Sequence, residues 1–421
     1  MEYEKIDLGS YHIHFINTDK FKTTTISVNF REKILKENIT IRKFLFQMLC
    51  STTLKYNTNR LFEIKLEDLY SASLGFSNIK FGNVINSYID IKFLNKKYSD
   101  NKLLDEALDF LFEIIFNPNV KKGKFDSRSF ELVKERLLLV MNSEKENIQK
   151  YTLNRSLELM DSNDPASFNL WGYKDDLNKI TEENLFDYYK SVLNTNIIDV
   201  FVVDNIDKKK ILEKFKKCFI VGNNKRDNIE AFITYDKLSK LKEKDEEMEL
   251  KQSKLSIICK ILNLSLYERR YVLPIYSNIL GGGGVSRLFT NVREKNSLCY
   301  TITSMSNTPN SILMIYSGID SINKDKALKL IKKELKLKNV TKEELKNSKK
   351  ELIASVETLL DNPGSIINYY FGMEVFNADD IKTKIKNYKK VSIEDIESLS
   401  NKIEIAMVYF LKGIENEKNK N

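Results

Sequence analysis

The sequence predicts an α+β protein that consists of two similar domains. Three observations favour this fold class. Strand-like and helix-like patterns alternate along the 421 residues, a highly charged stretch follows residue 220, and the two halves end in the same order of patterns. A chain of this length is sufficient for two or three domains, each with its own hydrophobic core.

In the first half, alternating β-branched and aromatic residues predict strands, and apolar residues at helical spacing predict helices. The predicted strands cover residues 11–15, 23–30, 87–94 and 197–205. The predicted helices cover residues 39–54, 61–75, 103–116, 130–160 and 180–193. We expect Gly75 to close the second of these helices and Thr181 to cap the last one.

The second half repeats this alternation. Its predicted strands cover residues 255–261, 299–306, 311–319 and 404–411. Its predicted helices cover residues 326–338, 347–360 and 391–400, the last with Ser392 as N-cap. Each half ends with a long helix, a break (DSNDPAS or LLDNPGS), a capped helix and an apolar strand. This weak internal duplication favours two similar domains of about two hundred residues each.

The charged stretch marks the predicted domain boundary. Residues 221–252 contain NNKRDN and KLKEKDEEMELK, and their low apolar content is typical of a linker or of a solvated helix. We therefore predict an N-terminal domain at 1–220, a charged linker at 221–252 and a C-terminal domain at 253–421.

The composition argues against nucleic-acid and membrane binding. The net charge of +9 comes almost wholly from lysine that is interleaved with acidic residues, as on a solvated surface. The four cysteines form no C-x-x-C pair, which fits reduced thiols. The N-terminus has no apolar leader, and no apolar run is long enough to span a bilayer. We expect a cytoplasmic protein that binds neither nucleic acid nor membrane.

The most unusual segment is a run of four consecutive glycines. It consists of Gly281, Gly282, Gly283 and Gly284. Such a run allows the close approach of another backbone or of an extended peptide, and a flexible loop is the alternative interpretation. The residues that follow it predict one apolar face of a helix; they are Val285, Leu288, Phe289 and Val292. No Gly-Lys-Ser/Thr follows, so the run does not predict a phosphate-binding loop.

The stretch GGGGVSRLFTNVREKNSLCY resembles the signature of the second domain of insulinase-like (pitrilysin, M16) metallopeptidases. The resemblance covers nearly the whole chain. It implies two homologous α/β-roll domains, each a mixed, mostly antiparallel sheet with helices packed on it. It also implies that Arg293 and Tyr300 donate hydrogen bonds to the carbonyl groups of a bound peptide. The alternative is that Arg293 pairs with an acidic neighbour and Tyr300 packs in the sheet.

An active member of that family carries H-x-x-E-H on its first long helix, where two histidines bind Zn²⁺ and the glutamate activates water. The corresponding predicted helix, 39–54, is apolar nearly all round and contains no His, Glu or Asp. The only histidines are His12 and His14 in a predicted strand, and we expect their side chains to point to opposite faces. A later helix supplies the third ligand in the family, and Val133 and Glu135 are both candidates for that position. We predict no catalytic residue, metal or other cofactor on this chain.

The resemblance therefore implies a non-catalytic, substrate-binding subunit of a heterodimeric zinc peptidase that acts on peptides or a small protein. Arg293, Tyr300 and the four glycines would bind the substrate, and a partner with H-x-x-E-H would hold the Zn²⁺. The segments TDKFKTTTISVNF and LEDLYSASLG are similar to insulinase-like proteins of Gram-positive bacteria that are associated with modification of elongation factor P. The alternative function is a non-proteolytic scaffold or peptide-binding protein linked to that modification.

Overall fold

Two mixed β-sheets form the framework of the computed structural model, which describes residues 1–222, 226, 228–237 and 240–414. The strands, in chain order, are β1 (Glu2–Asp7), β2 (His12–Asn17), β3 (Thr23–Lys33), β4 (Ser73–Phe81), β5 (Val84–Leu94), β6 (Val120–Lys121), β7 (Lys124–Phe125), β8 (Ile197–Val203), β9 (Lys242–Glu249), β10 (Ser253–Ile261), β11 (Cys299–Asn307), β12 (Ile312–Ile319) and β13 (Ile403–Ile414). β6 and β7 form a separate two-stranded ribbon.

The two sheets share one topology. The first has the strand order β1-β2-β8-β3-β5-β4, and the second has the order β9-β13-β10-β12-β11. In the first sheet only β2 and β8 are parallel, and in the second only β9 and β13 are parallel. The five strands β2-β8-β3-β5-β4 therefore match β9-β13-β10-β12-β11 in order and in direction. The predicted mixed, mostly antiparallel sheets are confirmed.

The helices pack on these sheets. In chain order they are α1 (Ile39–Leu49), α2 (Asn59–Asp68), α3 (Leu103–Phe116), α4 (Ser127–Asn142), α5 (Ile148–Met160), α6 (Lys174–Leu177), α7 (Glu182–Thr195), α8 (Lys208–Cys218), α9 (Leu273–Gly281), α10 (Lys324–Glu334), α11 (Lys342–Thr358), α12 (Pro363–Phe376), α13 (Ile381–Lys390) and α14 (Ile393–Ser400). Thr181 and Ser392 cap α7 and α14 as predicted. Within the described ranges, no helix combines the length and the apolarity that crossing a bilayer requires.

The chain divides into two compact units, and each unit is assembled from separate segments. Unit 1 consists of Met1–Ser143, Asn169–Glu230 and Asp361–Phe371. Unit 2 consists of Glu144–Phe168, Ala231–Leu360 and Gly372–Asn421, of which the last seven residues are outside the described ranges. Each unit therefore contains one short segment from the other half of the sequence.

In unit 2 the segment from the first half is helix α5. Residues that alternate along β10 divide between two hydrophobic clusters, because successive side chains point to opposite faces of a sheet. Ile257 packs with the helices of the second half, whereas Ile258 packs with Leu157 and Met160 of α5. The Ser156 and Ser256 hydroxyl groups form a hydrogen bond of 2.8 Å. Helix α5 thus covers the second face of this sheet.

In unit 1 the segment Asp361–Phe371 has the equivalent place. The Tyr370 ring stacks on the ring of Tyr3 in β1, with 4.2 Å between the centroids. The Phe371 ring lies edge-on to Phe201 of β8 at 6.3 Å. Alternate residues of the same sheet, such as Val200 and Val202, point into the main core of the unit. Both faces of the first sheet are therefore covered as well.

Two predicted helices differ from the observed ones. The predicted helix 130–160 is divided into α4 and α5, with a 3-10 turn at Ser143–Glu146 and Asn147 as the N-cap of α5. The break occurs where the chain leaves unit 1 for unit 2. The predicted helix 61–75 ends at Asp68, and the closing role of Gly75 was wrong because Gly75 lies in β4. Tyr70 and Ser71 turn the chain with φ values of 58° and 55°.

The predicted linker contains a strand. Lys242–Glu249 forms β9, which pairs in parallel with β13 at the edge of the second sheet. Its charged sequence is explained by this position, because charged side chains at a sheet edge discourage pairing with another chain. Residues 223–225, 227 and 238–239 of the predicted linker lie outside the described residues.

One face of the first sheet is polar although it is largely covered. Side chains of β3 that point away from the main core include Ser27, Asn29 and Arg31. Asp90 of β5 lies opposite Ser27 and forms a hydrogen bond with it. Burial raises the pKa of Asp90 to about 6, and the bond from Ser27 only partly opposes this. The folded state therefore binds a proton at Asp90 more tightly than the unfolded chain does.

We expect Leu157→Ala to destabilise unit 2 by about 2–3 kcal/mol, because it opens a cavity between α5 and the second sheet. Leu157 is only 8% exposed. Leu139→Ala in α4 is the matched control, since Leu139 is 69% exposed and its loss should change stability by less than about 0.5 kcal/mol. Urea unfolding monitored by circular dichroism measures both variants. Equal midpoints for the two variants would contradict the packing of α5 described above.

We expect Asp90→Asn to stabilise the protein at pH 7 by about 1–2 kcal/mol and to have a smaller effect at pH 4.5. Because the folded-state pKa of Asp90 is raised to about 6, the folded state binds the extra proton, and stability falls as pH rises from about 4 to 6. The asparagine removes this loss. Urea midpoints at both pH values measure the effect, and Asp68→Asn, which changes an exposed carboxylate, is the control. An equal gain at both pH values would exclude this linkage.

Candidate functional site

The first glycine of the run makes a close backbone contact. Helix α9 ends at Gly281, and a Cβ atom built on this residue would lie 2.6 Å from the backbone nitrogen of Ser304 in β11. The Ser304 hydroxyl donates to the carbonyl oxygen of Ser277 at 2.7 Å, and the Thr303 hydroxyl donates to that of Gly281 at 3.2 Å. At this residue the close-approach interpretation is therefore correct, because only glycine lets the helix end reach the strand.

The remaining glycines differ from one another. A Cβ atom on Gly282 would lie 2.6 Å from the Cα atom of Asn278 in the preceding helical turn. Gly283 and Gly284 have no heavy atom within 4 Å of such a Cβ position, and both are exposed. The run thus consists of two glycines that packing requires and two that border open space.

The predicted apolar helix face after the glycines was partly wrong. Val285 precedes the helix and is 76% exposed, whereas Leu288 and Val292 are fully buried. The Ser286 hydroxyl and amide both donate to the carbonyl oxygen of Gly283, so the helix begins only after this turn. Residues Phe289–Glu294 form a π-helical turn. Its wider winding moves side chains away from the spacing of an α-helix.

Arg293 lies near the end of this π-helical turn and is exposed. Its guanidinium carbon is 4.6 Å from the centroid of the Phe289 ring, which is a cation–π contact. Burial raises the pKa of Cys299, and the positive charge of Arg293 partly opposes this rise. The charge of the guanidinium therefore influences the first residue of β11. Among the described residues, no carboxylate forms an ion pair with Arg293. Its donors therefore remain available for a ligand.

Tyr300 owes its orientation to a β-bulge. Cys299 pairs with Ile319 and Thr301 pairs with Gly318, so Tyr300 is an extra residue without a partner across the ladder. A bulge redirects the side chain that it carries. The Tyr300 ring is 58% exposed on the edge strand of the second sheet, and its hydroxyl donates a long hydrogen bond of 3.4 Å to Asp320. Tyr300 does not pack in the sheet.

In unit 1, helix α1 buries a cationic side chain, that of Arg42. Arg42 donates from Nε to the Ser87 hydroxyl at 2.7 Å and from Nη1 to Asn196 Oδ1 at 2.9 Å. The Glu32 carboxylate lies 2.9 Å from Nη1 of Arg42. Burial lowers the pKa of Arg42, but Glu32 and Tyr188 raise it overall, so the guanidinium stays charged. Because arginine is usually at the surface, the sequence pattern of the helix did not predict this buried position.

Next to it, Lys43 is buried with its ammonium group 4.3 Å from the ring centroid of Trp171. One turn later, Gln47 has a buried Oε1 atom without a hydrogen-bond partner among the described residues. Gln47 lines a cavity of about 500 Å³ together with Cys50, Glu63 and Arg136. Burial raises the pKa of Cys50 well above its usual range, so its thiol is neutral. One side of helix α1 therefore packs in the hydrophobic core, and the other side borders a cavity with polar lining residues.

The expected orientation of the two histidines was wrong. Residues two apart in a strand share a face, and in β2 both His12 and His14 point to Asp199 of the parallel neighbour β8. His12 Nδ1 and His14 Nε2 lie 3.0 and 3.3 Å from Asp199 Oδ1, and Arg31 Nε donates to Oδ2 at 2.8 Å. Burial raises the pKa of Asp199, but the bonds from His12, His14 and the charge of Arg31 hold it well below its usual range.

Comparison with known proteins relates the sequence of this chain to a protein family. The pattern of the family described as "Peptidase M16 inactive domain" matches residues 179–352. A Bacillus subtilis protein described as "Probable inactive metalloprotease YmfF" is 27% identical over 416 residues, and the match covers 97% of both chains. The chain is therefore a homologue of proteins that are described as inactive M16 proteins, and the resemblance predicted from the sequence is confirmed.

Solved structures agree with this family. A conserved protein from Enterococcus faecalis V583 matches with a TM-score of 0.89 at 27% identity, over 99% of both chains. A peptidase M16 inactive domain from Pseudomonas fluorescens matches with a TM-score of 0.80 at 15% identity, again over 99% of both chains, which shows the fold alone. Relatives from Bacillus subtilis and Streptomyces coelicolor are described as uncharacterized zinc proteases. The relatives of this chain therefore include proteins described as inactive and proteins described as zinc proteases.

The residues of helix α1 do not fit the zinc ion of an active M16 peptidase. The helix offers Arg42, Lys43 and Gln47, and two of these three side chains are cationic. Zinc sites in proteins are built from thiolate, imidazole and carboxylate ligands. Of the two candidates for the third ligand, Val133 is buried in the core and Glu135 is exposed on the surface of α4. This region thus has no donor set for Zn²⁺ among the described residues.

We expect Gly281→Ala to destabilise the protein by about 1–3 kcal/mol, because the new methyl group would meet the backbone of β11 and force the strand and helix apart. Gly284→Ala is the matched control, since it extends into open space and should change stability by less than about 0.5 kcal/mol. Thermal and urea unfolding of the full chain compare the two variants. Equal losses would mean that the whole run, and not the helix end alone, requires glycine.

Proposed function

We propose that this chain is the non-catalytic, substrate-binding subunit of a two-component M16-type zinc peptidase that acts on peptides or a small protein. The observation that carries the proposal is a contrast between two places in the chain. Arg293 in the π-helical turn and Tyr300 at the start of β11 are exposed donors, whereas helix α1 lacks zinc ligands. A chain with this contrast can hold a substrate but needs a partner for the chemistry.

The two donors suit a peptide backbone. A guanidinium and a phenol both donate hydrogen bonds, and a carbonyl oxygen of the substrate gains negative charge during hydrolysis. Arg293 rests on Phe289, and the bulge directs Tyr300 outward. The exposed Gly283 and Gly284 leave space for an extended chain beside them. Donors that are fixed before the substrate arrives stabilise the transition state more than mobile ones.

The partner would be an M16 homologue that carries H-x-x-E-H. Its zinc ion would polarise the scissile carbonyl and activate water, and its glutamate would act as general base. The relatives described as zinc proteases support the existence of such chains in this family. We place the pair in the cytoplasm, since all four cysteines of this chain are free thiols.

We expect the chain alone to cleave no peptide and the reconstituted pair to be active. Arg293→Ala should lower kcat/KM of the pair about 100-fold, and Tyr300→Phe should lower it about 10- to 100-fold, because each removes a donor to the developing oxyanion. Cleavage of a fluorogenic peptide library by this chain mixed with the H-x-x-E-H homologue of the same organism measures both effects.

The matched controls are Arg60→Ala and Tyr267→Phe, which change another exposed arginine and a partly exposed tyrosine. Both controls should retain the full activity of the pair. Unchanged turnover in both Arg293→Ala and Tyr300→Phe would exclude the proposed role of these donors.

A second candidate is a non-proteolytic scaffold or peptide-binding protein, with a link to the modification of elongation factor P. The description of a Helicobacter pylori relative as "Non-peptidase homolog YmxG" favours it; that protein is 27% identical over 73% of this chain. This function predicts peptide binding by the isolated chain, with the same sensitivity to Arg293→Ala but no cleavage in any mixture. Fluorescence anisotropy of labelled peptides separates the two functions.

A further inference from the structure

The polar face of the first sheet brings together three side chains that are typical metal ligands. His12 and His14 project from the same face of β2, and the parallel register places His12 directly beside Asp199 of β8. One nitrogen of each histidine and one oxygen of Asp199 all lie within 4.8 Å of one another. The three residues come from positions 12, 14 and 199, so only the pairing of β2 with β8 unites them.

We propose that His12, His14 and Asp199 form a binding site for a divalent transition-metal ion of the zinc type. The ligand atoms would be His12 Nδ1, His14 Nε2 and Asp199 Oδ1. In a tetrahedral zinc site with bonds of about 2.0–2.1 Å, neighbouring ligand atoms lie about 3.3 Å apart. The two distances to Asp199 Oδ1 are 3.0 and 3.3 Å. The ion could therefore bind above these atoms after small side-chain movements.

The site is closed on one side and open on the other. The side chains of His14 and Asp199 are fully buried, whereas that of His12 is 24% exposed. The ion would enter beside His12, and a water molecule would occupy the fourth position there. Three protein ligands with one open position are typical of zinc sites that bind a further ligand.

The neighbouring groups orient the three ligands. The Tyr3 hydroxyl lies 2.9 Å from His14 Nδ1, and Asp7 Oδ1 lies 3.9 Å from His12 Nε2. In the metal-bound form each imidazole would carry its proton on the nitrogen that faces Tyr3 or Asp7. A hydrogen bond to the second nitrogen of a ligating histidine, such as that between Tyr3 and His14, is usual at metal sites.

The chemistry of the site selects the class of ion. Two imidazole nitrogens favour Zn²⁺, Co²⁺ or Fe²⁺ over Mg²⁺ and Ca²⁺, which require oxygen ligands. Arg31 holds Asp199 Oδ2 and leaves Oδ1 as a single donor. Its positive charge opposes a cation nearby and reduces the affinity. We therefore infer a site of moderate affinity, which the expectation of a metal-free chain did not include.

The trio lies on the face of the first sheet that is opposite to helix α1. Ile13 and Phe15, which alternate with the histidines along β2, point into the core on which helix α1 packs. The histidines point to the opposite face. The inference therefore does not depend on the proposed peptidase role, and either can fail without the other.

The two histidines provide a direct test, because they are the only ones in the chain. We expect Zn²⁺, added to the metal-free full-length protein, to shift the imidazole NMR signals of both histidines and to saturate at one ion per chain. Co²⁺ should give visible absorption bands without a thiolate charge-transfer band. If Zn²⁺ binds while the imidazole signals stay unchanged, or if it does not bind, the trio is a hydrogen-bonded network only and the proposal is wrong.

Variants locate the ion. His12→Ala should weaken Zn²⁺ binding in calorimetry at least about 10-fold, and Zn²⁺ should no longer raise its melting temperature. His12 is chosen because it is partly exposed, so its loss leaves the buried Arg31–Asp199 pair intact. Gln47→Ala in helix α1 is the control and should bind Zn²⁺ like the unmodified protein. Equal affinity of His12→Ala and the unmodified protein would overturn the assignment.

Discussion

The structure depends on the burial of both faces of each sheet. In an isolated antiparallel layer one face can remain in water, but β3 and β10 are buried along nearly their whole length. Each sheet therefore needs two covering layers. The helices that follow the strands in sequence supply one layer, and a segment from the other half of the sequence supplies part of the second. This arrangement explains why a helical stretch breaks near residue 143 and why unit 1 includes residues 361–371.

The second faces of the two sheets have different chemistry. In unit 2 this face is mostly apolar, with Ile258, Met407 and Leu157 in one cluster beside the Ser156–Ser256 hydrogen bond. In unit 1 it carries Arg31, Asp199 and the two histidines. A buried carboxylate requires partners of opposite charge or several donors, and Asp199 has both. The same set of groups that neutralises this carboxylate also presents nitrogen and oxygen ligands to an ion.

Helix α1 of the first unit packs on a buried polar network. Arg42 occupies the centre of a polar network behind helix α1, with Ser87 and Asn196 as acceptors and Glu32 as counter-ion. Removing one partner from such a network would be strongly destabilising, because it would leave a buried charge unpaired. In unit 2 the corresponding helix, α9, instead ends against β11 through Gly281. A common topology thus supports two different local solutions.

Local patterns in the sequence are sufficient to predict the α+β class, most helices and strands, the caps at Thr181 and Ser392, and the lack of a zinc motif on the first long helix. These features depend on local periodicity and residue type, which a single chain displays directly. The folded structure is needed to show which segments belong together: the exchange of short segments, the strand in the charged stretch, the bulge at Tyr300 and the convergence of His12, His14 and Asp199. Each of these arises from pairing between residues far apart in the chain, and strand pairing leaves no local pattern in the sequence of either partner.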